Sequence, residues 1–185
     1  MNPIVNKAWN PAERIVTNRV NGLGYRMVPA RSVAPGHEQL VNLVSACNEP
    51  AVFEFLFRKL YGGRPYELDD ARKFFSWASQ GWQEQTHFVF VLLAPSGLIA
   101  AALDIKSADR NMAEIGYWCS ALHRGLMSSA VSELKCMARD ENFKALFARV
   151  RKDNIASIKV LERNGFILQG DWPGDPNRSR FEVVL

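Results

Sequence analysis

The segment AEIGYWCSALHRGLM, residues 113–127, passes from a strand-like apolar pattern through a short polar loop into an amphipathic run. A helix beginning after Gly125 presents unpaired N–H groups and the positive end of a dipole, which together suit a phosphate. Gly125 has no Cβ to keep a ligand from the backbone, and Arg124 adds a cation beside it. Taken alone, the residues fit a plain strand-to-helix turn equally well. A second segment, RVRKDNIASIKVLERNGF at 149–166, brings Arg149, Arg151 and Lys152 to a strand end. Asn154 is placed to cap the helix that follows, and Gly165 to close it.

These segments need elements to hold them. The spacing predicts a first strand at Tyr25–Ala30, then three helical runs at 37–47, 51–61 and 68–82. Strands at 87–94, 98–105 and 112–119 follow as an antiparallel meander, with Pro95-Ser96-Gly97 as one of its turns. Leu126–Arg139 is an amphipathic helix, Ala145–Arg151 a strand, and Asn154–Asn164 a helix. Phe166–Gln169 and Arg180–Leu185 read as closing strands, with DWPGDPNRS between them as a loop. The class is α+β, with one central, mostly antiparallel sheet of about seven strands flanked by helices. Residues 1–23 read as an N-terminal extension that packs on the domain at 24–185 or pairs with a partner chain, which would make a homodimer.

In this order the two segments resemble the GNAT superfamily of coenzyme A-dependent N-acetyltransferases. Glu114–Trp118, EIGYW, is similar to that fold's fourth strand. The pattern N-x-x-S-x-x-V-L-E-x-x-G-F, at Asn154, Ser157, Val160, Leu161, Glu162, Gly165 and Phe166, is similar to its final helix. The wording resembles the ribosomal-protein N-terminal acetyltransferase (Rim-type) branch. The resemblance implies a mixed sheet that splays between its fourth and fifth strands. It also implies acetyl-CoA as co-substrate, with the pantetheine arm paired to backbone near Trp118, Cys119 and Ser120. The pyrophosphate would lie on Arg124, Gly125, Leu126, Met127 and Ser128. Asn154 would contact the arm, and Ser157 would bond the departing thiolate or simply line the channel. The implied reaction is direct attack by a primary amine, of a small molecule or a protein N-terminus, on the thioester in a ternary complex.

The sequence departs from that family in two places. The phosphate loop His123-Arg124-Gly125-Leu126-Met127 has one glycine where the family usually has two, and it is short. Leu161 stands where many members carry a general-acid tyrosine, a residue the Rim-type branch commonly lacks too. For the base, Glu114 is the first candidate, acting through water; the competing reading pairs it with a lysine or arginine of a neighbouring strand. Glu54 is a second candidate against a solvated helix charge, and Glu162 is structural. Cys119 reads as a small buried residue rather than a nucleophile, since no histidine is placed to activate it. His37, His87 and His123 lack metal-ligand spacing, so no metal is expected, though His123 could touch phosphate. Phe53, Phe55, Phe57, Trp77 and Trp82 belong to the core or line an acceptor pocket.

Composition bounds the alternatives. The chain has 185 residues, 48% hydrophobic and 23% charged, which excludes disorder as its main state. Its net charge of +4 suits anionic ligands but falls short of a dedicated nucleic-acid binder. No apolar run reaches the roughly 20 residues of a membrane span, and three widely spaced cysteines suit a reducing, cytoplasmic compartment. Three readings therefore compete: an acetyl-CoA-dependent N-acetyltransferase, a non-catalytic interaction domain on the same fold with a weakened coenzyme site, and, ranked last, RNA or ribosome binding through the basic run near Arg149–Lys152, whose charges equally suit the coenzyme's phosphates.

Overall fold

The computed structural model describes residues 8–185. Eight strands form one sheet: β1 Arg14–Thr17, β2 Gly24–Pro29, β3 Phe88–Leu93, β4 Ile99–Ile105, β5 Ala113–Cys119, β6 Ala145–Arg151, β7 Ile167–Trp172 and β8 Asp175–Val184. Their order is β1-β2-β3-β4-β5-β6-β8-β7. Every neighbouring pair is antiparallel except β5 and β6, which run parallel. The helices are α1 His37–Cys47, α2 Pro50–Val52 continuing through a π turn to Phe57, α3 Leu68–Glu84, α4 Leu126–Asp140 and α5 Ile155–Arg163.

The apolar pattern dictates how these layers close. Along α4, Leu126, Met127, Ala130, Val131, Leu134, Met137 and Ala138 make one buried stripe against the sheet. On the opposite face, Leu43, Ala46 and Cys47 of α1 and Ala71, Phe75 and Ala78 of α3 pack on Val89, Val91 and Ala102. β3 is buried along its whole length because both of its faces are covered, which is why FVFVLL is an unbroken apolar run. Among the described residues no single helix is long and apolar enough to cross a membrane.

Two stretches differ from the sequence expectation. Of residues 1–23, the first seven lie outside the described residues, and the rest is built into the domain. Arg14–Thr17 pairs with Gly24–Met27 as an edge strand. Trp9 is buried among Trp82, Phe88, Phe90 and Phe143, with ring centroids 4.7–5.9 Å away. Its N–H donates to Gln85 Oε1 at 2.6 Å. The sheet thus has eight strands, and the gap expected between the fourth and fifth falls between β5 and β6. The stretch 171–179, read as a loop, is instead a hairpin. Pro173 and Gly174, with φ +84° at the glycine, turn the chain tightly, so that Asp175 pairs with Trp172, Arg178 with Arg151, and Ser179 with both Asp171 and Val150.

Candidate active site

β5 and β6 pair only at Ala113↔Leu146 and Glu114↔Phe147. Beyond them each strand follows its other neighbour. β5 stays registered with β4 from Ile115 to Cys119, and β6 with β8 through Arg151↔Arg178. The facing backbone edges therefore lose their ladder partners, and a cleft of about 300 Å³ opens between them. Tyr117, Trp118, Cys119, Met127, Asn154 and Ser157 line it.

Of the start of α4, Met127 lines this cleft, while Arg124, Gly125, Leu126 and Ser128 lie outside its lining. Gly125 has φ +92°, a left-handed conformation that favours glycine. A Cβ there would lie 2.5 Å from Val20 Cγ2 and 2.7 Å from Asn18 Oδ1. Asn18 is fully buried in the turn between β1 and β2. Its Nδ2 donates to the Arg124 carbonyl at 3.0 Å, and Arg19 N–H donates to the Gly125 carbonyl at 3.4 Å. The loop's carbonyls are thus held by the N-terminal segment. The first N–H groups of α4, at Leu126, Met127 and Ser128, have no intrahelical acceptor. The Arg124 side chain is exposed beside them.

Asn154 caps α5, its Oδ1 accepting from Ser157 N–H at 3.1 Å. The Ser157 hydroxyl lies 2.8 Å from the hydroxyl of Tyr117, which also donates to the Ser157 carbonyl. Burial pushes the Tyr117 phenol up, with the Ser157 contact opposing, so it stays protonated. The sequence reading missed Tyr117, although strand alternation sets it opposite in face to Trp118. Leu161, by contrast, is fully buried in the core.

Other candidates are placed differently. Ser120 does not enter the cleft: it is buried, its N–H goes to the Ala100 carbonyl, and its hydroxyl donates to Glu49 at 2.6 Å. The Cys119 thiol is pushed up to about 12, chiefly by burial and then by Glu49, and stays a thiol at neutral pH. His123 is turned to the Tyr25 hydroxyl at 2.9 Å, and burial lowers its pKa. Glu114 takes the ion-pair alternative, each oxygen 2.7 Å from a cation, Lys106 on one side and Arg149 on the other. Glu54 pairs with Arg58 and Arg151. The basic run is neutralised in the same way, since Arg151 also meets Asp153 and Lys152 meets Asp171.

Gly116, Tyr117, Trp118 and Lys106 are shared with a second cavity of about 470 Å³, on the α1 and α3 side of the sheet. Phe57 and Trp77 line it, Phe55 lines the first cleft, and Trp82 is core.

Residues 31–167 match the acetyltransferase (GNAT) domain family. The chain belongs to the GNAT acetyltransferase family. No curated protein matches it by sequence. Solved structures share the GNAT fold at low identity. The GNAT domain of S. lividans PAT superposes with a TM-score of 0.70 at 18% identity, covering 96% of this chain and 100% of that one. A microcin self-immunity acetyltransferase, solved with acetyl-CoA and AMP, gives 0.69 at 16% identity, covering 88% and 92%. The RimL ribosomal-protein α-N-acetyltransferase, solved with coenzyme A, gives 0.69 at 17% identity, covering 93% and 98%. The expected GNAT architecture is therefore present, including the strand gap.

Proposed function

We propose that this GNAT protein transfers the acetyl group of acetyl-CoA to a primary amine, by direct attack in a ternary complex. The observation that carries the reading is the opened β5–β6 edge with the bare start of α4 beside it. The residues present fit the coenzyme. An extended amide-bearing arm can pair with the unladdered backbone at Trp118 and Cys119. A diphosphate suits the N–H groups of Leu126, Met127 and Ser128, with Arg124 beside them. Asn154 keeps its amide NH₂ for the arm while its oxygen caps α5. The bound acetyl-CoA of one structural neighbour and the coenzyme A of another support the assignment.

The chemistry asked of this chain is modest. The amine must reach the thioester carbonyl as a neutral nucleophile. A strand N–H at the gap would stabilise the oxyanion. Ser157, backed by Tyr117, would donate the hydrogen bond that lets the thiolate leave and be protonated. Glu114 would act by fixing Lys106 and Arg149 on the acceptor face. The interaction-domain alternative rests on the single glycine of the phosphate loop. The Asn18 contacts weigh against it, because they hold that loop in shape without a second glycine.

The test is thiol release from acetyl-CoA across a panel of small amines and peptide N-termini, with the product identified by mass. Amine-dependent release with a 42 Da (about one acetyl group) mass gain is expected. Release from no amine in the panel would contradict the reading.

A further inference from the structure

The second cavity holds a carboxylate that no ion pair among the described residues uses. Asp104 on β4 lies opposite Gly116 on β5 and opens into this cavity. A Cβ on Gly116 would stand 2.7 Å from Asp104 Oδ1. Gly116 is not a turn residue, and its missing side chain is what gives the carboxylate its place over the strand. The other acids nearby are taken. Asp70 is gripped by Arg64 at 2.7 and 2.9 Å, and Glu114 by Lys106 and Arg149. Among the described residues no cation lies within 4.0 Å of the Asp104 carboxylate. Burial pushes its pKa up. Lys106, the Gly116 backbone and His87 act the other way, while Glu114 adds to the rise.

The rest of the cavity is apolar. Phe57, Tyr61, Tyr66, Phe74, Trp77 and Trp118 form its walls. These rings are braced: Phe57 and Tyr66 centroids are 5.1 Å apart, and Trp77 stacks on His87 at 4.3 Å. Aromatic faces also attract an ammonium. A volume of about 470 Å³ suits a small molecule. Lys73 borders the same space with no ion-pair partner among the described residues, whereas Lys106 is held by Glu114, so a second positive charge on the ligand would be repelled by Lys73.

We propose that this cavity receives the acceptor, a primary monoamine carried on an aromatic or aliphatic body, with Asp104 holding its ammonium and taking its proton. The inference rests on the acetyl-transfer reading and names the substrate class of that site. The ammonium gives one proton to Asp104, which passes it to solvent. The neutral nitrogen then forms the C–N bond as the C–S bond breaks. The second proton from that nitrogen ends on the departing thiolate, leaving an amide and a free thiol.

The experiment is calorimetric titration of phenethylamine, with spermidine for comparison, into protein saturated with coenzyme A. Wild-type protein, Asp104→Asn and Trp77→Ala are compared. Phenethylamine should bind the wild type more tightly than spermidine does. It should bind each variant roughly tenfold or more weakly, a loss typical of a charged hydrogen bond or a wall of a pocket. Equal binding by folded Asp104→Asn, binding unchanged in Trp77→Ala, tighter binding of spermidine, or no binding by the wild type would each overturn the proposal. Phenethylamine binding to the wild type, with no thiol released from acetyl-CoA by any amine of the panel, would leave this site standing and remove the acetyl-transfer reading.

Discussion

The Tyr117 hydroxyl lies 2.8 Å from the Ser157 hydroxyl and ties β5 to α5 across the strand gap. If this pair protonates the leaving thiolate, Ser157→Ala and Tyr117→Phe should each lower kcat by about 10- to 100-fold. The double variant should lose little more than the worse single one, because the two hydroxyls act as a unit. The KM for acetyl-CoA should move less than kcat. Steady-state kinetics on the three variants checks this.

Gly125 combines positive φ with no room for a side chain. Gly125→Ala should destabilise the fold by about 1–3 kcal/mol through backbone strain. It should also weaken acetyl-CoA binding, by displacing Asn18 and the loop it holds. Gly165 has φ +77° but open space around it, so Gly165→Ala should cost stability alone. Unfolding midpoints with and without acetyl-CoA separate the two outcomes.

Trp9 belongs to the core although it lies close to the N-terminus. Trp9→Ala leaves a large void among Trp82, Phe88, Phe90 and Phe143 and should cost about 3–5 kcal/mol. In a domain of this size that is a fall of about 10 °C in the thermal midpoint. A midpoint within a degree or two of wild type would show that residues 8–23 are an appendage after all.

The carboxyl of Asp70 is held down at about 2, first by its hydrogen bonds from Arg64 and then by the Glu67 N–H, with burial opposing. A carboxylate depressed in the folded state stabilises it above the ordinary Asp range. That contribution is lost as pH falls from about 4 toward about 2. Arg64→Ala should therefore unfold at higher pH than wild type in an acid titration followed by circular dichroism. Between pH 5 and 7 the wild type should show no pH dependence from this pair.

What could be read from the sequence was what local pattern encodes. The stripe along α4, the Asn154 cap and the break at Gly125 all depend on neighbours within a turn or two. β1 escaped because only Val16 of its four residues points inward, so its apolar alternation is too short to see. The β7–β8 hairpin escaped because Pro173, Gly174 and Pro176 give its turn and first strand residues a loop's composition. Within the site, Tyr117 meets Ser157 across 40 residues of chain, and Asn18 meets Arg124 across 106. No spacing rule reaches that far. Asp104 is a lone charge near the end of an apolar run, and its value lies in the empty place opposite, at Gly116. Glu114 drew attention through its motif, yet the two cations that occupy it come from just past the end of β4 and from β6.

The most direct test of the account is the unfolding midpoint as a function of acetyl-CoA concentration. The opened β5–β6 edge and the bare start of α4 are worth little to this reading unless the coenzyme binds there. A ligand that binds only the folded state raises its stability by RT ln(1 + [L]/Kd), about 2.7 kcal/mol at a hundred times Kd. The account predicts a midpoint that climbs steadily with acetyl-CoA and a smaller climb for Gly125→Ala. A wild-type midpoint unmoved at millimolar acetyl-CoA would contradict it.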